Sequence, residues 1–218
     1  MGDHRIRVIN EVYPSYLLSI LRGKNTPLNV FRDTMKELGR VLAIEIMNNS
    51  EYSIEQVETP LGVAEYKNPK HYEDIVLVGI LRAALPLVEG MIDVYKKARV
   101  GFIGAKRVED SSREGREFDV VMNYYNIPPI DKGSLVIIAD PMLATASTMI
   151  RVLNLLKPKI SEETEVIVAS VIAAEYGLER LMTRHPYIKL YTVAIDSILN
   201  DKGYIVPGLG DAGDRSFG

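Results

Sequence analysis

The sequence predicts an α/β protein: an open, mainly parallel sheet with helices on both faces, preceded by a helical cap and a β-hairpin. Three observations lead there. Four short, nearly all-apolar runs (75–81, 135–139, 166–171 and 190–195) have the composition of strands buried on both faces of a parallel sheet. Helical segments near 86–97, 147–156 and 175–184 separate or flank them, giving a β-α-β rhythm. The length, 218 residues, with 47% hydrophobic and 25% charged side chains, suits one globular domain with a sizeable core. We therefore expect a single domain over 1–218, with 1–70 as cap and hairpin and 71–218 as the core ending in a C-terminal loop.

Each element has its own warrant. Thr26-Pro27 reads as a helix start, with Thr as N-cap and Pro at the first helical position. Leu28, Phe31, Met35, Leu38, Leu42 and Ile46 then recur at helical spacing and build one apolar face. Residues 52–66, about the Thr59-Pro60-Leu61-Gly62 turn, read as a hairpin. Strand-like segments near 100–107 and 118–125 lie between the first and second buried runs.

Composition narrows the function classes. A net charge of −3 gives no electrostatic reason to expect nucleic acid as a partner. With no cysteine, disulfides and thiolate chemistry are excluded. The N-terminus lacks an apolar signal core and no apolar run is long enough to span a bilayer, so the expectation is a soluble, cytoplasmic chain without a membrane partner.

In open parallel sheets, ligands bind beyond the carboxyl ends of the strands. After 135–139 comes Asp140-Pro141-Met142-Leu143-Ala144-Thr145-Ala146-Ser147-Thr148, then a helix. A strand-tip carboxylate can accept from a pair of sugar hydroxyls, and a loop of small and hydroxylated residues at a helix start favours a phosphate. Standing alone, the same residues read as a turn aspartate and an ordinary N-cap. After 75–81 comes Arg82, and after 100–105 come Lys106 and Arg107; guanidinium matches phosphate oxygens, with a surface salt bridge as the bland alternative. The polar stretch from Glu109 to Glu117 reads either as a solvated hairpin loop or as a mobile flap over the site. Close to the C-terminus, residues 203–215 interleave glycines with Tyr204, Ile205, Pro207, two aspartates and Arg215, unlike a solvated tail. Backbone there can approach a flat heterocycle. A ligand with a 5′-phosphate, two ribose hydroxyls and a diphosphate would use all of these groups.

At these residues the chain resembles the uracil phosphoribosyltransferases, in particular the archaeal type, over most of its length. Residues 140–148 resemble the family's loop for phosphoribosyl diphosphate (PRPP), Ile80-Leu81-Arg82-Ala83 its diphosphate loop, and residues 203–218 its uracil signature. The resemblance implies a type I phosphoribosyltransferase fold and the transfer of a phosphoribosyl group from PRPP to N1 of uracil, giving UMP and diphosphate in pyrimidine salvage. It implies that Arg82, Arg107, Asp140, Pro141, Met142, Leu143, Ala144, Thr145, Ala146, Ser147, Thr148 and Asp211 contact PRPP. Arg82 and Arg107 would stabilise the leaving diphosphate. Ile205, Gly210, Asp211 and Ala212 would contact uracil. Mg²⁺ would arrive bound to PRPP rather than in a protein cage. It further implies a homo-oligomer, dimer or tetramer, with GTP as an allosteric effector near Arg32 and Lys36. Two departures stand out. Ala146-Ser147-Thr148 replaces the Gly-Gly-Ser common in bacterial members, and residues 31–37 are mixed in charge where GTP-activated members are basic. A phosphoribosyltransferase for another base and an RNA-binding regulator on the same fold are the competing readings.

Overall fold

In the computed structural model, residues 3–113 and 117–218 are described, the side chains of 109–117 excepted. In chain order the elements are β1 (Ile6–Val8), α1 (Val12–Arg22), α2 (Leu28–Asn48), β2 (Tyr52–Thr59), β3 (Gly62–Pro69), β4 (Ile75–Leu81), α3 (Leu85–Val94), β5 (Arg99–Arg113) and β6 (Glu117–Asn126). They continue with β7 (Leu135–Ala139), β8 (Met142–Leu143), α4 (Ser147–Leu156), β9 (Glu165–Ala174), α5 (Glu175–Arg184), β10 (Lys189–Asp196), β11 (Ile198–Leu199), β12 (Ile205–Val206) and α6 (Ala212–Phe217).

The central sheet runs β1-β10-β9-β7-β4-β5-β6, with β8 pairing β9. All pairs are parallel except β5 with β6. Alternation along the buried strands sorts the core into two layers. Ile75, Leu77, Leu135 and Ile137 pack with the apolar faces of α1, α2 and α3. Val76, Val78, Val136 and Ile138 pack on the other side with α4 and α5. Successive strand side chains point to opposite faces, so an all-apolar strand can feed both layers. The two-faced α/β architecture expected from the sequence is present.

The chain moves from β4 by way of α3 to β5 on one side, and from β7 by way of α4 to β9 on the other. The sheet's switch point therefore lies between β4 and β7, and it fixes where a cleft can form.

Three expectations need correction. Pro27, not Thr26, is the N-cap of α2, and Leu28 is its first residue. The Thr26 hydroxyl instead donates to the Ile20 carbonyl at 2.6 Å, closing the end of α1. The first seventy residues are more than a cap and hairpin, because Ile6–Val8 adds an edge strand beside β10. A three-residue strand is too short to announce itself by periodicity. Arg107 is not at a strand tip, because antiparallel pairing with β6 (Arg107 opposite Val120) carries β5 well past the sheet.

Candidate active site

The loop after β7 is held from below. The Pro141 carbonyl accepts from the N–H groups of Val171 and Ile172, both at 3.0 Å, which ties the loop to β9. Asp140 accepts from the Met142 N–H at 3.3 Å. Burial pushes its carboxyl up to about 6, against the Met142 N–H and the Arg107 charge, which favour ionisation. Ala146 sits at φ 60°, ψ 6°, a left-handed conformation that costs a side-chain-bearing residue about 1–2 kcal/mol. Its methyl is buried in the core layer beneath α4, which offsets part of that cost. Thr145 donates to the Ser147 hydroxyl at 3.1 Å and accepts from the Ser147 N–H at 3.4 Å. The N–H groups that open α4 have no acceptor inside the helix.

The C-terminal segment folds over this loop. Gly203, Gly208 and Gly210 all have positive φ (74°, 61° and 77°). A Cβ on Gly208 would meet the Ile205 carbonyl at 2.1 Å. Two arginines anchor the segment to the cap. Arg22 forks onto Asp196 at 2.9 and 2.7 Å and donates to the Gly208 carbonyl at 2.9 Å, while the Gly208 N–H donates to Asp196 at 3.0 Å. Arg215 donates to the carbonyls of Leu209 (2.7 Å), Leu21 and Gly23, and lies over the Phe31 ring at 4.4 Å. The chain then closes in α6, capped by Asp211, which accepts from the Asp214 N–H at 2.9 Å.

One cleft results at the switch point. Its walls are Ile80 and Leu81 at the end of β4 with Ala83 just beyond it, Ala105 and Arg107 on β5, Asp140 and residues 142–149 around β8 and α4, and Gly203, Tyr204 and residues 210–213 of the C-terminal segment. The structure thus brings together Arg107, Asp140, Met142, Leu143, Ala144, Thr145, Ala146, Ser147, Thr148, Gly210, Asp211 and Ala212. Pro141 and Ile205 stand behind the walls, both buried. Arg82 is exposed beside them and meets Asp214 of α6 at 3.3 Å, linking the β4 loop to the C-terminal helix. Arg107 lies 5.3 Å over the ring of Phe118. Arg32 and Lys36 lie in a separate depression with Asp33, Leu85, Pro86, Glu89 and Phe217. The tip of the expected flap, 114–116, and the side chains of 109–117 lie outside the described residues.

The uracil phosphoribosyltransferase family model matches residues 8–218, nearly the whole chain. The chain belongs to this family. It is 46% identical to the uracil phosphoribosyltransferase of Sulfurisphaera tokodaii over 97% of this chain and 98% of that one. Its identity to the Metallosphaera sedula protein of that name is also 46%, over 93% and 94% of the two chains. Among solved structures, the AQ2163 protein from Aquifex aeolicus superposes with a TM-score of 0.85 at 34% identity, covering 97% of both chains. A hypoxanthine-guanine phosphoribosyltransferase from Bacillus anthracis shares the fold at a TM-score of 0.50 and 12% identity, over 78% of this chain and 82% of that one. No helix among the described residues is long and apolar enough to cross a membrane.

Sequence reasoning missed Arg22, Asp196 and Arg180, and it did not foresee α6. Arg22 and Asp196 stand 174 positions apart, and neither carries a local motif. The capping pair Asp211 and Asp214 was the available signal for α6.

Proposed function

We propose that the chain transfers the phosphoribosyl group of PRPP to N1 of uracil, forming UMP and releasing diphosphate. A single observation carries this: one cleft joins a cation, a sugar-suited carboxylate, an open helix start and a glycine-bent C-terminal segment. Residues 144–148 take the 5-phosphate. Asp140 accepts from the ribose hydroxyls, and Arg107 with Arg82 faces the diphosphate. The backbone about Ile205, Gly210, Asp211 and Ala212 reads the base. In the reaction the C1–O bond to diphosphate breaks, the N1–C1 bond forms and the N1 proton is lost. Positioning and electrostatic stabilisation carry this chemistry. Among the described residues no group of three His, Asp or Glu side chains could hold a metal ion. Mg²⁺ would ride on PRPP, largely water-ligated, and would help neutralise charge on the departing diphosphate. The reaction takes place in the cytoplasm, a reading supported by the charge of PRPP, which keeps that substrate in the compartment where it is made.

Two finer parts complete the reading. The chain works as a homo-oligomer, supported by the apolar side chains that the β2–β3 hairpin exposes. GTP acts as an effector in the depression about Arg32 and Lys36. Phe217 of α6 lines it, and α6 begins at Ala212 in the cleft. Lys36 is already paired with Asp93 at 3.3 Å, so Arg32 supplies most of the attraction for a triphosphate.

The test is diphosphate release from PRPP and Mg²⁺ with uracil, cytosine, hypoxanthine or adenine. Uracil offers acceptor, donor and acceptor across O2, N3–H and O4, and a fixed backbone cannot also satisfy cytosine. A mismatched buried group costs roughly 1–3 kcal/mol, so uracil turnover should exceed the others by about tenfold or more. Cytosine within a few-fold of uracil overturns the base assignment. In the same assay at sub-saturating PRPP, a flat response to GTP removes the effector.

A further inference from the structure

The phosphate loop is gripped from behind by α5, which contributes nothing to the cleft walls. Arg180 on this helix donates through Nη1 to the Thr145 carbonyl at 2.7 Å and to the Ser147 hydroxyl at 3.0 Å. One turn earlier, Gly177 lets α5 lie directly against the loop. A Cβ there would stand 2.0 Å from the Ala144 carbonyl oxygen and 3.2 Å from the Ala146 nitrogen.

These contacts dictate where the loop's donors point. In a planar trans peptide, the carbonyl and the following N–H lie on opposite sides. The Ala144 carbonyl faces Gly177 and the Thr145 carbonyl faces Arg180. The N–H groups of Thr145 and Ala146 are therefore turned opposite to these carbonyls, and both residues line the cleft. Two successive N–H groups bent by the left-handed Ala146 form a concave anion seat. The Ser147 hydroxyl is set in the same way. Its oxygen receives three donors: the Phe118 N–H at 3.3 Å, the Thr145 hydroxyl at 3.1 Å and Arg180 at 3.0 Å. Two lone pairs are thereby saturated, and the hydroxyl proton has none of these three to donate to. It is left for a ligand in the cleft.

We propose that Arg180 is a positioning residue for PRPP. It touches no substrate. From behind the loop it fixes the Thr145–Ala146 peptide and the Ser147 hydroxyl with their donors facing the 5-phosphate. Both bonds leave one planar nitrogen, whose two N–H directions are fixed by the guanidinium plane, whereas an ammonium on a shorter, rotating stem would not keep both directions. The inference rests on reading residues 144–148 as the 5-phosphate cradle.

The test separates the two ends of PRPP by calorimetry, with ribose 5-phosphate and inorganic diphosphate as probes. Wild type, Arg180→Gln and Arg180→Lys are compared. Arg180→Gln should lose roughly tenfold or more in ribose 5-phosphate affinity, about one charge-assisted hydrogen bond. Its diphosphate affinity and KM for uracil should stay within about twofold, and Arg180→Lys should fall between wild type and Arg180→Gln. If Arg180→Gln does not fold, Gly177→Ala lifts the loop off α5 independently and should show the same selective loss. Unchanged ribose 5-phosphate affinity, wild-type behaviour in Arg180→Lys, or equal loss for both probes each overturns the proposal. A wild type that makes no UMP overturns the reading of the cleft itself, whereas an active wild type with indifferent variants overturns only the role of Arg180.

Discussion

Asp140 shows how one side chain serves stability and binding with opposite signs. Burial raises its carboxyl from 3.8 to about 6. A carboxyl raised on folding favours the folded chain below its ordinary value, and that contribution is lost as pH climbs through about 6. Asp140→Asn should therefore raise the Tm of the ligand-free protein at neutral pH and leave it unchanged near pH 4, which a thermal melt series would show. Binding runs the other way, because only the ionised carboxylate accepts fully from both ribose hydroxyls. PRPP affinity of the wild type should rise through about pH 6 more steeply than that of Asp140→Asn, and at neutral pH the variant should bind roughly tenfold or more weakly. Identical pH profiles in calorimetry would return Asp140 to a turn residue holding the Met142 N–H. Ala146 is the other residue of note. A non-glycine side chain in the left-handed region persists only where its surroundings compensate, and here the buried methyl and the α5 contacts do so.

At the scale of elements, α2 and α3 pack backbone against backbone. A Cβ on Gly39 would stand 2.1 Å from the Leu87 carbonyl, and one on Gly90 would stand 1.8 Å from the Lys36 carbonyl. Backbone faces backbone, so neither can yield by turning a side chain. Gly90→Ala must push α3 away from α2 at a cost of about 1–3 kcal/mol, seen as a Tm drop of several degrees. A Tm equal to wild type would mean the two helices are free to separate. The crossing is also a link in the proposed regulation. Lys36, on α2, bonds to Asp93 on α3 beside it, and Arg40 bonds to the same carboxylate. Neither glycine was readable as a contact in the sequence, because a helix glycine signals only low propensity until its neighbour is known.

For the whole molecule, the β2–β3 hairpin is the piece that the sheet does not explain. Among the described residues it pairs with no other strand of the chain. An isolated two-stranded hairpin is marginal in water, yet this one runs eight residues in each strand. Tyr52, Ile54 and Val63 share one of its faces and are 53%, 57% and 68% exposed, with Leu61 fully exposed at the turn. We expect a second copy of the chain to cover this face. Ile54→Asp combined with Val63→Asp should reduce the mass measured by light scattering to that of a monomer. A monomeric wild type, or a double variant with unchanged mass, would refute that assignment.

The elements of the core were legible in the sequence because each depends on local pattern. Apolar runs marked β4, β7, β9 and β10, helical spacing marked α2, and β7, α4 and α5 kept their expected bounds. The composition of the loop after β7 was legible for the same reason, since a carboxylate, small residues and hydroxyls stand in consecutive positions. Tertiary structure alone decided what lies behind that loop. The Arg22–Asp196 anchor spans 174 positions and the grip of Arg180 on Thr145 spans 35. The paired glycines of α2 and α3 likewise mean nothing until the helices cross. Periodicity records which face of an element is apolar, whereas a hydrogen bond between distant residues exists only after the sheet has brought its strand ends together.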